Sequence, residues 1–111
     1  MDEPTYPIAT QVGKIEPFTG NRTLSPDDNG RVFRGEDSSN VTVTVPNNLG
    51  EGFTVGFVQY ASGTITLSAG SGATKRAGGT ATSAQYQRGS LIVAKNADGA
   101  SAESFVGGDF A

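Results

Sequence analysis

The sequence predicts an all-β fold, a small antiparallel β-sandwich or barrel preceded by an extended N-terminal arm. Three observations predict it. Asn40 to Pro46 reads NVTVTVP, in which Val41, Val43 and Val45 alternate with Thr42 and Thr44, the period of a strand with one buried and one wet face. The habit returns in Thr64-Ile65-Thr66-Leu67-Ser68, and Gly-rich turns punctuate the chain at short intervals. No segment has the apolar spacing of a sizeable helix.

Residues 1–22 form the arm. Pro4, Pro7 and Pro17 interrupt regular structure, while Tyr6, Ile8, Val12, Ile15 and Phe18 supply spaced apolar anchors. The arm is either a tail or a strap laid across a neighbouring subunit or another surface, and its anchors favour the strap. Removal of residues 1–20 is therefore expected to leave a folded domain that has lost its attachment.

Residues 23–111 form the β domain. Ser25-Pro26-Asp27-Asp28-Asn29-Gly30 is a turn cluster leading into the short strand Arg31 to Arg34. A polar turn over Gly35 to Asn40 precedes the NVTVTVP strand, and Asn47 to Gly52 forms the next loop. Phe53 to Tyr60 carries bulky residues on both faces and so needs cover on both. Ala61-Ser62-Gly63 turns the chain into the Thr64 to Ser68 strand. Ala69 to Ala84 holds Gly, Ser, Ala and Thr with Lys75 and Arg76, and is expected to be a long exposed loop. Ser90 to Lys95 is a strand closed by the Asp98-Gly99 turn, and Glu103 to Phe110 should pair with it.

Composition bounds the function. With 111 residues the chain is one domain, and Leu, Ile, Val and Phe together number only 23. That is close to the roughly 20% below which chains tend towards disorder, so completion of the fold by neighbouring subunits is expected. A net charge of −3 with scattered Lys and Arg excludes the basic stripe of a nucleic-acid footprint. No stretch approaches membrane-spanning length, and no basic start followed by an apolar run marks a signal peptide. Two N-x-T tripeptides, Asn21-Arg22-Thr23 and Asn40-Val41-Thr42, read as chance glycosylation signals without a secretory route.

The absence of His and Cys removes the commonest general base, the thiolate nucleophile and the usual zinc ligands, so no enzyme activity and no cofactor are expected. Asp27-Asp28 and Glu36-Asp37 are carboxylate pairs, but both sit in turn sequences where Asp accepts backbone hydrogen bonds. The alternating acidic spacing of a calcium loop is missing, and Gly70 to Arg76 lacks the order of a phosphate-binding loop. Tyr60 and Tyr86 could stack on a sugar or lie in an interface.

Taken in order, Leu24, Asp28-Asn29-Gly30-Arg31-Val32, the Val-Thr-Val-Thr-Val-Pro strand to Pro46 and Gly52-Phe53-Thr54-Val55 leading to Gln59 form one series. It continues with Gly63-Thr64-Ile65-Thr66-Leu67, Gly70 and Gly72, Gln85-Tyr86, Leu91 and Phe105-Val106-Gly107-Gly108-Asp109-Phe110. Over residues 23–111 this series resembles a β-rich module of tailed-phage virion proteins, found in tail and fibre polypeptides and small head proteins. Where the module often ends in Trp followed by Gly-Asp-Leu, this chain has Phe105 and Gly-Asp-Phe.

The resemblance implies a structural role with no catalytic residues. A free-standing copy with an arm looks like a capsid decoration or cement protein, or the base of a head fibre. Such proteins are commonly trimers whose arms cross between subunits. The expected partners are two further copies of the chain and the major capsid protein; the expected location is the virion surface, after assembly in the host cytoplasm. The candidate contacts are Tyr6, Ile8, Val12, Ile15 and Phe18. The alternative is a receptor-binding module at a tail or fibre tip, with the Gly70 to Thr82 loop and Tyr60 or Tyr86 on host glycan.

Overall fold

The computed structural model describes residues 14–111. Tyr6, Ile8 and Val12 lie outside the described residues. Among the described residues nine strands form: β1 Ile15–Phe18, β2 Arg22–Thr23, β3 Val32–Gly35, β4 Val41–Val45, β5 Thr54–Gln59, β6 Ile65–Ala69, β7 Thr74–Ala77, β8 Arg88–Lys95 and β9 Glu103–Gly108. The only helical turn among them is the three-residue 3-10 segment Pro26–Asp28. The all-β reading holds. A six-stranded sheet runs β1-β3-β5-β8-β9-β7, and a three-stranded sheet runs β2-β4-β6.

The expected antiparallel arrangement is corrected. β1, β3 and β5 are mutually parallel, as are β2, β4 and β6, and only the β5-β8 and β8-β9 pairs are antiparallel. The reason is the corners: β1, β3 and β5 of the large sheet each turn into a strand of the small sheet instead of folding back on themselves. Neighbours within a sheet are then successive passes in one direction, and the chain winds as a short two-sided solenoid of three coils. Val32 pairs with Gly56 and Val41 with Ile65, so both sheets advance by the same 24 residues between the second coil and the third.

That register aligns like with like. Val41 and Val43 lie beside Ile65 and Leu67 on the inner face of the small sheet, and Val45 pairs with the exposed Ala69. Opposite them Phe18, Phe33, Phe57 and Phe110 form an aromatic spine with successive centroids 5.9, 5.8 and 5.8 Å apart, edge-on, stacked, then edge-on. The two N-x-T tripeptides occupy equivalent corners. Asn21 Oδ1 accepts the Thr42 N–H at 2.9 Å and Asn40 Oδ1 accepts the Thr64 N–H at 3.0 Å, each tying its corner to the next coil. Their recurrence reflects the winding of the chain. At the tighter corner, Gly63 is required because a Cβ there would run into the Ser39 and Asp37 carbonyl oxygens.

Both ends of the solenoid are closed. At the first coil the inward Arg22 guanidinium lies 4.6 Å from the Phe33 ring centre and bonds Glu16 at 3.0 Å and the buried Asp28 at 3.2 Å. At the last coil β8, β9 and β7 extend the large sheet, while Thr80 O and the Thr82 N–H bond the free edge of β6. The Ala69 to Ala84 stretch is thus no long loop: it holds β7 and this edge cover. Its small residues permit close approach, since a Cβ on Gly78 would run into the Val106 carbonyl oxygen. Among the described residues no helix is long and apolar enough to cross a membrane.

The arm is shorter than the sequence suggests. Ile15 to Phe18 pairs with β3 in full register, and Phe18 is buried against Phe33. The chain is therefore part of the domain from β1 onward.

Candidate interaction face

Residues in register share a face, so pairings across the large sheet list its outer surface. One row is Ile15, Val32, Gly56, Ser90 and Gly107. On one side lie Pro17, Arg34, Val58 and Arg88, and on the other Thr54, Ile92 and Phe105. Ile15, Ile92 and Phe105 are 54%, 44% and 40% exposed, and Val32 and Val58 are half-buried. The small residues of the middle row leave a shallow furrow floored by Gly56 and Ser90 and walled by Val32 and Val58.

The small sheet presents the opposite character. Its outward residues include Thr23, Thr44 and Ser68 in one row and Thr42 and Thr66 in the next, a hydroxyl-bearing surface suited to water. Two faces of one small domain thus differ in the way a covered and an uncovered surface differ. Phe53 to Tyr60 was expected to need cover on both faces. Its inner residues Val55, Phe57 and Gln59 have it, and Val58 lies on the open side.

The sheet edges do not invite partners. The Val32 and Glu36 N–H groups bond Lys14 O and Phe18 O, so the alternate residues Ile15 and Pro17 direct their backbone outward, and Pro17 has no N–H to offer. The β7 edge carries Lys75 and Arg76.

At the end of this face, beyond β5 and before β8, Tyr60 and Tyr86 meet with ring centres 5.9 Å apart and planes inclined at 71°. They are 53% and 63% exposed. The Tyr86 N–H bonds Gln59 O at 2.6 Å and the Gln85 amide bonds Tyr60 O at 2.9 Å, which pins the two loops together. Arg34, ion-paired with Glu36, stands 5.7 Å from the Tyr60 ring centre. Tyr86 has φ of 73°, the left-handed region, and no other non-glycine described residue does. A non-glycine residue held there carries a conformational cost, offset in part by the Tyr86 N–H bond to Gln59 O.

The other candidate groups serve the fold. Asp28 takes the Ser25 N–H at 2.9 Å as well as Arg22. Asp37 accepts the Ser39 and Gly20 N–H groups at 2.9 and 2.8 Å, which hold its carboxyl below the usual aspartate range. Lys75 Nζ bonds Gly79 O and Thr80 Oγ1, and Arg76 bonds Glu103 at 2.9 Å, so neither cation of the glycine-rich stretch faces an anion cradle. Among the described residues no group of three or more acidic side chains converges as a metal site would require.

Of the sequence-predicted contacts, Ile15 lies on the apolar face and Phe18 lies in the core. Val58, Ile92 and Phe105 were missed. Their signal was present in Leu91-Ile92-Val93, an unbroken apolar run in which one residue must point away from the core. No protein-family model matches the chain, and no relative among curated proteins matches it.

Proposed function

We propose that this chain is a phage virion structural protein, a trimeric capsid decoration protein that stabilises the head by non-covalent contacts with the major capsid protein. The observation that carries the reading is the apolar outer face of the large sheet, set against the hydroxyl-rich face of the small one. A protein whose work is attachment needs such a surface, and the carboxylates and cations described above are engaged in holding the fold. The resemblance of the series from Leu24 to Phe110 to virion β modules supplies the context.

In this role the outer face joins subunits, and residues 1–13, with Tyr6, Ile8 and Val12, reach between subunits and shell. Three arms on one symmetric site act at high effective concentration, so weak single contacts sum to firm attachment. The role is structural, not enzymatic, and its place is the capsid surface after assembly in the host cytoplasm.

Electron microscopy of virions labelled with an antibody against this chain tests it. Label over the heads is expected. Label confined to tail tips would replace decoration with receptor binding.

A further inference from the structure

We infer that Asn29-Gly30 is a self-modification site, a deamidating pair that the folded chain holds shut and that local opening releases. Of the six asparagines, Asn29 alone is followed by glycine. Glycine has no side chain to shield its backbone nitrogen, so this pair permits the closest approach of that nitrogen to the asparagine carboxamide. Both residues are exposed, and solvent reaches them.

The reaction needs only the chain and water. The Gly30 nitrogen, its proton lost to solvent, attacks Asn29 Cγ; a bond forms between them, the Cγ–Nδ2 bond breaks, and Nδ2 takes up a proton and leaves as ammonia. Water then opens the five-membered imide at one of its two carbonyls. Aspartate results where the Gly30 nitrogen stays on the α-carbonyl carbon, and isoaspartate where it stays on Cγ.

The fold blocks the first of these steps. The Gly30 N–H donates to Thr54 O at 2.7 Å and the Thr54 N–H donates to Asn29 Oδ1 at 2.9 Å, so one residue at the start of β5 engages both reacting groups. Ring closure also requires the Asn29 Cβ to lie in the plane of the Asn29-Gly30 peptide, beside the nitrogen. A ψ of 130° at Asn29 holds it well out of that plane. On either side the Arg31 N–H bonds Asp28 O at 3.0 Å and the Gly56 N–H bonds Arg31 O at 2.9 Å. Reaction therefore waits until residues 28–31 part from β5.

The two products differ in what they allow afterwards. Aspartate leaves the main chain unchanged, and its carboxylate accepts the Thr54 N–H as the amide oxygen does. Isoaspartate lengthens the main chain by a methylene, so Gly30 cannot meet Thr54 while Val32 keeps its register with Gly56. The site thus separates chains that have stayed closed from chains that have opened, and bars part of the second group from refolding. This inference stands apart from the proposed function.

The full-length chain is aged at neutral pH in two portions, one folded and one in guanidinium chloride, and digested with trypsin. Residues 23–31 then form one peptide whose only asparagine is Asn29. Conversion should be at least about tenfold slower in the folded portion, a factor that corresponds to about 1.4 kcal/mol of opening free energy. After denaturant is removed from the other portion, the isoaspartyl peptide should concentrate in the fraction that fails to refold. Asn29→Asp, with the main chain of the aspartyl product, should fold and melt as the parent does. Equal rates in the two portions, an isoaspartyl form that refolds as fully as the parent, or an Asn29→Asp chain that does not fold overturns the inference.

Discussion

Tyr86 and Asp37 illustrate how single residues divide between work for the fold and work against it. Tyr86 sits where glycine is the natural occupant. Tyr86→Gly is expected to raise stability by about 1 kcal/mol in urea unfolding. A loss of stability would show instead that the ring supports the fold. Asp37 works the other way: N–H groups of Ser39 and Gly20 bond its ionised form, and its carboxyl titrates below the usual range. The unfolded chain takes up the proton first as pH falls. Asp37 therefore contributes its full stabilisation above the ordinary aspartate pKa and loses it progressively as pH drops through the lowered folded value. Asp37→Asn should lower stability at neutral pH and flatten the acid limb of the stability curve, as thermal melts across pH 2 to 6 would show. The residue types were legible as turn formers in the sequence. That Asp37 also holds Gly20, across a corner of the solenoid, was not, because the contact joins successive coils.

At the scale of elements, stacked coils make stability a property of neighbours. Phe33 has aromatic rings on both sides, Phe18 and Phe57, and is fully buried. Phe33→Ala should cost roughly 3–5 kcal/mol, enough to unfold much of a domain with the usual margin of about 5–15 kcal/mol. Chemical denaturation would show it as a lowered midpoint. The first coil also sets where the arm can be cut. Deletion of residues 1–13 should leave a cooperative fold, whereas deletion of 1–20 removes β1 and Phe18 and exposes the Phe33 end of the spine. Melting curves for the two truncations should therefore separate clearly, and equal curves would show β1 to be dispensable. The strands themselves were legible from period-two alternation in Val41 to Val45 and Ile65 to Ala69. β7 was not, because Thr74 to Ala77 buries little and owes its conformation to pairing with β9.

For the whole molecule, the decisive property is the contrast between its two outer faces. Ile92→Lys combined with Phe105→Glu places charge on the apolar face without touching the core, and both positions tolerate it sterically because both are exposed. Under the proposed function, sedimentation should show the parent chain as an oligomer and the double variant as a monomer, with the melting temperature of the isolated domain little changed. Continued assembly would move the interface elsewhere. The 23 large aliphatic and phenylalanine residues are few for this length, and placing some of them outward is consistent with a surface meant to be covered.

The sequence by itself determined that the chain is built of strands, where most of them run and where they turn, because alternation and turn chemistry act between residues close along the chain. It also carried the 24-residue echo of Val41-Thr42-Val43-Thr44-Val45 in Ile65-Thr66-Leu67-Ser68-Ala69, which marks successive coils. Only the tertiary structure decided that those strands lie parallel. A strand alternates identically whichever way its neighbour runs, and direction is set by how corners carry the chain between sheets. The structure alone likewise decided that Ile15, Val58, Ile92 and Phe105 share an open face and that Tyr60 meets Tyr86. Register joins residues that are distant in sequence, and no local pattern encodes it.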